Sequence, residues 1–278
     1  MNNLNERKKN IKLSKRLETI LRLIPDTCNY LVDVGCDHGH LSDAFLRLAA
    51  ENKALLIDLR EQPLERAKHN LLVKSKHSPE KLVFSLSSGL NAWDPNPKNF
   101  YKQNNFSETD VNDTCIVIAG LGAKEIINIF ADKLDQLSAT DMDSNVDVYM
   151  IIQAMRNQEN IRLFMRENGF PLLNQSIVED KDFVYSVDLY KVNLSKVTSY
   201  PELKSTNNIV DFLGLEFLKS LKEDTQTENN KYIMQKYLER QIRIAVKEAK
   251  SLPEQLFEER MNMIKDMRNY LKISLEEH

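Results

Sequence analysis

Up to about residue 192, hydrophobic positions fall in short β-branched runs separated by stretches whose apolar residues recur every three or four positions. The runs Tyr30–Val34, Ala54–Asp58, Leu82–Leu86, Thr114–Ala119, Val148–Gln153, Asn174–Glu179 and Phe183–Val192 predict strands. Between them, Leu41–Ala50, Pro63–Lys74, Ala123–Leu137 and Gln158–Asn168 predict amphipathic helices. Such alternation builds a mostly parallel sheet covered by helices on both faces. No helix separates the last two runs, so they predict an antiparallel pair at one edge.

Beyond Ser195 the strand pattern stops. Asn208–Leu221 reads as a short helix and Lys222–Asn230 as a polar break. Two long helical patterns follow, Lys231–Ser251 and Glu254–Ser274, parted by Leu252-Pro253, and an antiparallel hairpin is their natural product. Apolar residues recur at helical spacing, Ile233, Tyr237 and Ile244 in the first and Phe257, Met261, Ile264, Met267 and Leu271 in the second, and Met261, Met263 and Met267 read as core filler. The expected division is therefore an α/β domain of Rossmann-like type over residues 1–194, then a helical hairpin over 195–278. Residues 95–113, rich in Asn, Pro and Lys, read as an inserted surface loop.

Composition narrows the class. No apolar stretch is long enough for a membrane helix, and Met1–Arg16 is too polar for a secretory signal. Three scattered cysteines, Cys28, Cys36 and Cys115, fit a reducing cytoplasm and neither a disulfide framework nor a zinc cluster. The net charge of −3 hides an uneven distribution. The first 30 residues carry seven bases against three acids, a solvated helix face or a phosphate-contacting edge. From residue 196 onward, fourteen bases balance fourteen acids.

The chemistry concentrates in Leu31-Val-Asp-Val-Gly-Cys-Asp-His-Gly-His-Leu41. A strand runs into Asp33, Gly35, Asp37, His38 and Gly39 and then into a helix. Glycines let the chain turn and let a ligand approach the backbone. Acids on both sides of Gly35 disfavour a pyrophosphate and suit an amino group and a sulfonium, which argues against a nicotinamide enzyme. Asp58 ends the second strand, where a carboxylate can accept both hydroxyls of a ribose, with Leu59 beside it. The third strand ends in Ser87-Ser88-Gly89-Leu90, so Ser88 and Gly89 belong to the same candidate pocket. Ala119, Gly120 and Gly122 form a small-residue turn after the fourth strand, where methyl group and target atom would meet. Gln153, after the fifth, either touches a base edge or satisfies backbone groups. His38 and His40 lack a third ligand, so no metal is expected, and Cys36 reads as a small buried residue.

At these positions the sequence resembles the bacterial tRNA (adenine-22, N1)-methyltransferase family, the TrmK type. The likeness lies in Leu13-Ser-Lys-Arg-Leu-Glu18, Asp33-Val-Gly-Cys-Asp-His38, Ile116-Val-Ile-Ala-Gly-Leu-Gly122, Met150-Ile-Ile-Gln153 and Glu167-Asn-Gly169. It spans roughly the first 190 residues. It implies a class I methyltransferase fold with a helical C-terminal domain, S-adenosyl-L-methionine as cofactor and tRNA as partner. Asp33, Gly35, Asp37, Gly39 and Asp58 would line the cofactor, Gly120 and Gly122 would lie near the methyl group, and Lys12, Lys15 and Arg16 would contact tRNA. Asp37 is the expected residue nearest the chemistry. The chain departs from the family at Ser88, where an acid is usual, at Ala123, and at Gln153-Ala154-Met155. The competing expectations are a methyltransferase acting on another RNA or a protein, and a non-catalytic RNA-binding protein with the same fold. The pattern leaves the oligomeric state open, with a monomer favoured.

Overall fold

The computed structural model describes residues 13–94, 113–138, 147–193, 206–220 and 228–276. Lys12 and residues 95–112 of the expected surface loop lie outside these segments. Helix α1 (Lys15–Leu23) starts at Ser14, whose side chain accepts from the Leu17 amide. It leads into β1 (Cys28–Val34), α2 (His40–Leu46), β2 (Lys53–Asp58), α3 (Glu61–Lys68) and β3 (Leu82–Leu86). Then come β4 (Asp113–Leu121), α4 (Ala123–Ser138), β5 (Asp147–Ala154), α5 (Gln158–Glu167), β6 (Leu172–Asp180) and β7 (Phe183–Asn193).

The strands form one sheet in the order β3-β2-β1-β4-β5-β7-β6. The first five are parallel, and β7 runs antiparallel to both β5 and β6. Strand β1 is buried along its whole length, as a central strand covered on both faces must be. Tyr30, Val32 and Val34 point to one side, where Ile126, Phe130, Ile161 and Phe164 of α4 and α5 cover them. Leu31 joins the opposite layer with Ile20 and Leu21 of α1, Phe45 of α2 and Leu64 of α3. All seven predicted strands are present, several one or two residues longer than the pattern indicated. Asp113, expected in the loop, is the first residue of β4.

Three helices differ from expectation. The second ends at Leu46 and not at Ala50. The third is α-helical only to Lys68, after which His69–Lys74 widens into a π-helical turn. The stretch 208–221 is not one helix. Gly214 takes φ +88° and divides it into α6 (Ile209–Leu213) and α7 (Leu215–Ser220). A helical pattern cannot report a left-handed residue in its middle, although glycine is where one occurs.

The hairpin consists of α8 (Glu228–Ala249) and α9 (Glu254–Glu276), so Glu228, Asn229 and Asn230 are helical and not part of the polar break. Tyr237, Ile264 and Met267 are fully buried between the helices, and Met263 nearly so, whereas Phe257 and Met261 are about two-fifths exposed and leave the core. The same core takes in Val184 and Ile177, so the C-terminal helices pack onto one face of the β6–β7 pair while α1 lies against the other.

A buried ion pair fastens this junction. Arg162 of α5 donates from Nε to Asp188 of β7 at 2.8 Å, and both residues are inaccessible to solvent. Its Nη1 reaches the carbonyls of Asp211 and Phe212 in α6 at 3.1 and 2.9 Å, and Nη2 reaches Ser186 and the Tyr237 hydroxyl. Asp188 also accepts from Gln158, Ser186 and Tyr190. Removing one partner of such a pair leaves an uncompensated buried charge. Arg162→Ala is expected to lower the unfolding free energy by about 3–5 kcal/mol, measured by urea denaturation. A loss below about 1 kcal/mol, the range of an exposed pair, would contradict this role.

Candidate functional site

The parallel strands deliver their C-terminal ends to one edge of the sheet, where an open α/β sheet binds its ligands. After β1 the backbone turns through Gly35 (φ +73°), Asp37 (φ +48°) and Gly39 (φ +71°) into α2. The amides of Gly35 and Cys36 both donate to the Ile57 carbonyl, at 2.8 and 3.1 Å, which ties the loop to the neighbouring strand. The two glycines serve different ends. A Cβ on Gly39 would lie 2.5 Å from Leu71 Cδ1, so the loop can pack against the π-helical turn only without a side chain there. A Cβ on Gly35 would meet nothing within 4 Å and would project into open space beside the loop.

Two buried carboxylates stand behind that space. Asp33, near the end of β1, accepts from the Ser42 hydroxyl at 2.7 Å. Burial pushes its pKa up to about 6, with the Asp58 charge adding to the rise and the Ser42 bond opposing it. Asp58, at the end of β2, accepts from the Asp37 amide at 3.2 Å and from the Arg60 amide at 2.9 Å. Each of its oxygens keeps a further lone pair for a ligand. Asp37 itself points outward, with His38 Nε2 at 3.8 Å from its carboxylate. Asn70, on the π-helical turn, donates to the His38 carbonyl at 3.0 Å and supports the loop from behind. Cys36 is buried, and burial with the nearby Asp33 and Asp58 charges pushes its thiol above the ordinary range, so it is no nucleophile.

Next along the edge, the Ser87 amide donates to the Asp58 carbonyl, bringing Ser88 and Gly89 beside β2. Ser88 is exposed, and a Cβ on Gly89 would press on Ile129. Leu59 and Leu86, at the ends of β2 and β3, leave 71% and 57% of their surface exposed. Leu86 is the register partner of Asp58 and Leu59 follows Asp58 in the chain, so both stand beside that carboxylate; the motif reading included only Leu59.

On the other side of Gly35, β4 bulges between Ala119 and Leu121 and turns Gly120 out at φ +81°. The Gly122 amide is capped by Glu125 at 2.6 Å, which starts α4. Gln153 is wholly buried and turns out to be a clamp. It accepts from Arg16 Nη1 at 2.5 Å and donates to the Ala154 carbonyl. Arg16 is thereby held over the site, with Nη1 3.2 Å from where a Cβ on Gly120 would stand. Lys15, next to it, is exposed on α1. The turn after β5 is tied on several sides: Met155 N to Leu121 O, Ala123 N to Arg156 O, Ala154 N to the Gln158 side chain, and Met155 O to Arg240 of α8. Neither Arg240 nor Gln158 is signalled in the sequence: Arg240 bonds the Val184 and Met155 carbonyls, which only the fold brings near it, and Gln158 links the Ala154 amide to the distant Asp188 side chain. Among the described residues, no group of three His, Cys, Asp or Glu side chains could hold a metal ion.

Residues 13–187 match the family model of a methyltransferase domain. MG248 of Mycoplasma genitalium, a candidate tRNA methyltransferase, is 26% identical over 180 residues, 63% of this chain and 68% of its own. Among solved structures, Sp1610 of Streptococcus pneumoniae, a candidate tRNA (m1A22) methyltransferase, aligns over 94% of this chain and 100% of its own, with 21% identity and a TM-score of 0.65. Sp1610 has also been solved with S-adenosyl-L-methionine, where the TM-score is 0.62. The m1A22 tRNA methyltransferase TrmK of B. subtilis aligns over 96% and 99% of the two chains, at 19% identity and a TM-score of 0.59. At these identities the solved structures establish the fold.

The raised pKa of Asp33 has a consequence for stability. The folded state holds the proton more tightly than the unfolded chain does, so the ionised carboxylate destabilises the fold as pH rises from about 4 to about 6. The effect is absent below both pKa values and complete above both, at about 3 kcal/mol. Relative to the unaltered protein, Asp33→Asn is expected to gain stability across that interval, measured by urea unfolding at a series of pH values. A difference that stays constant with pH would show that Asp33 titrates normally.

Proposed function

We propose, from the premise that the chain belongs to the methyltransferase-domain family, that it transfers the methyl group of S-adenosyl-L-methionine to N1 of an adenine in tRNA. The observation that carries the cofactor is the open cradle at Gly35, bounded by Asp33, Asp37 and Asp58. That set of donors and acceptors fits the ligand part by part. Asp58 suits the ribose hydroxyls, Leu59 and Leu86 suit the faces of an adenine ring, and Gly35 leaves room for the backbone to be approached. Asp33 and Asp37 suit an ammonium and a sulfonium, and His38, Ser88, Gly89 and Ala119 border the same space. Ser88 can offer the adenine amino group only a neutral hydrogen bond in place of a charged one. The complex of Sp1610 with S-adenosyl-L-methionine supports this reading.

When bound, the cofactor supplies a methyl group already activated on a sulfonium. What remains for the protein is positioning and exclusion of water. The turn through Gly120 and Gly122, with the Arg16 guanidinium beside the first and the Glu125 carboxylate beside the second, would meet the acceptor nitrogen, and Asp37 would orient the acceptor's amino group or the methyl donor. Adenine N1 attacks through its own lone pair, so no side chain has to remove a proton first. The base must leave its stack to arrive there, at a cost of a few kcal/mol. A tRNA substrate is supported by the likeness to MG248, Sp1610 and TrmK, and the adenine-22 position by the likeness to Sp1610 and TrmK. Lys15 and Arg16 offer positive charge at the rim. We read residues 1–194 as the catalytic unit and 195–278 as the part that grips the tRNA body. The chain would work as a monomer in the cytoplasm, where its three buried free cysteines would stay reduced. No helix among the described residues is long and apolar enough to cross a membrane.

Calorimetric titration with S-adenosyl-L-methionine and S-adenosylhomocysteine is expected to give micromolar binding. Asp58→Ala should weaken it by roughly ten- to a hundredfold, the value of a charge-assisted hydrogen bond. Incubation with unmodified tRNA should then yield 1-methyladenosine by nucleoside mass spectrometry. Asp37→Ala should lower that yield while the fold stays intact by circular dichroism. No cofactor binding, with or without tRNA, would overturn the reading in favour of an RNA-binding protein without catalysis, the alternative that Ser88 favours.

A further inference from the structure

An aromatic ring stands exposed beside the acceptor side of the site. Phe183, the first residue of β7, leaves 63% of its surface to solvent, and its ring centre lies 6.3 Å from that of Tyr185. Arg16 lies over the Tyr185 ring at 5.8 Å while bonding to Gln153 and leaning over Gly120. These contacts run outward in order, from the bulge at Gly120 through Arg16 and Tyr185 to Phe183. Exposure of a single apolar residue carries little meaning. This ring, however, sits on a fixed backbone: Arg240 donates to the Val184 carbonyl at 3.2 Å and to the Met155 carbonyl at 3.2 Å, and Val184 itself is buried in the C-terminal core. A ring on a fixed backbone has only its two side-chain torsions to order when something stacks on it.

We infer that Phe183 is a stacking platform for an unpaired base of the RNA substrate, the nucleotide that flanks the methylated adenosine. The inference rests on the tRNA methyltransferase reading above. The ring is one aromatic neighbour removed from Gly120, so a base stacked on it is not the base whose N1 receives the methyl group. It serves the neighbour that is splayed out with it. Arg16 and Arg240 have no carboxylate partner among the described residues, and their charge favours a polyanion along this rim. The tip of the β6–β7 hairpin carries Asp180 and Asp182 around Lys181, so phosphates are not drawn to the ring itself. What Phe183 can offer is its face, and every base has a face to match.

The test is equilibrium binding of unmodified tRNA to the full chain saturated with S-adenosylhomocysteine, over a series of salt concentrations. Phe183→Ala should weaken tRNA binding on the order of tenfold at every salt concentration. The slope of log affinity against log salt should stay unchanged, because no phosphate contact is lost. Phe183→Trp should restore the affinity, and the affinity for S-adenosylhomocysteine should be the same in all three proteins. If the unaltered protein binds and methylates tRNA while Phe183→Ala matches it in affinity and in KM, the platform is refuted and the methyltransferase reading stands. A changed salt slope in Phe183→Ala would likewise refute it, assigning the position an electrostatic role. If the unaltered protein binds S-adenosylhomocysteine but no tRNA, both readings fall, and a protein substrate takes their place.

Discussion

The Arg162–Asp188 pair is the constraint on which the rest of this structure depends. A guanidinium and a carboxylate, both removed from water, are tolerable only if nearly every donor and acceptor on them is used. Here the partners come from α5, β7, α6 and α8, so satisfying the pair fixes those four elements relative to one another. Gln158 extends the network to the Ala154 amide at the end of β5, one residue from the Gln153 that holds Arg16. The geometry of the acceptor side is therefore set from behind, by polar groups that no ligand touches. Pairs of this kind contribute more to uniqueness than to net stability.

The two halves of the site are built on different principles. On the cofactor side, Asp33, Gly35, Asp37 and Gly39 lie within one short segment, Asp58 comes from the adjacent strand, and backbone amides bind the loop to that strand. On the acceptor side, Arg16, Gln153, Tyr185 and Arg240 come from positions far apart in sequence, and side chains clamp a turn that makes few bonds of its own. The second kind of site depends on the C-terminal helices, through the bonds from Arg240 to the Met155 and Val184 carbonyls.

That difference explains what could be read from the sequence. All seven strands and the Asp33–Gly39 loop were legible because alternation, glycine spacing and acidic strand ends are local signals. Asp58 was legible from its distance along the chain from Asp33, since a strand–helix–strand unit has a nearly fixed length. The break at Gly214, the π-helical turn at His69–Lys74 and the exposure of Met261 were not, because each is decided by what the segment packs against. Of the two readings of Gln153, the structure bears out the backbone one, since its amide donates to the Ala154 carbonyl, and adds a role that neither contained: it clamps Arg16, a residue 137 positions away. The role of Arg240 was invisible for the same reason. The division at residue 194 follows the end of the strand pattern, but the core that Val184 shares with α6, α7 and the hairpin shows that packing crosses it.

The contrast between Gly35 and Gly39 bears on how genetic variation in this chain should be scored. In sequence the two look interchangeable, four positions apart in the same loop. One faces the ligand space and the other faces Leu71. An alanine at Gly39 would be registered by the cell as a shortage of protein, through the chaperones and proteases that sort partly folded chains. An alanine at Gly35 would carry the backbone strain of φ +73° without a clash, so the loss of protein would be smaller and the filled space beside the loop would act on each folded molecule instead. A survey that records only growth would merge the two, whereas one that also counts protein per cell would separate a position that guards the fold from one that guards the reaction.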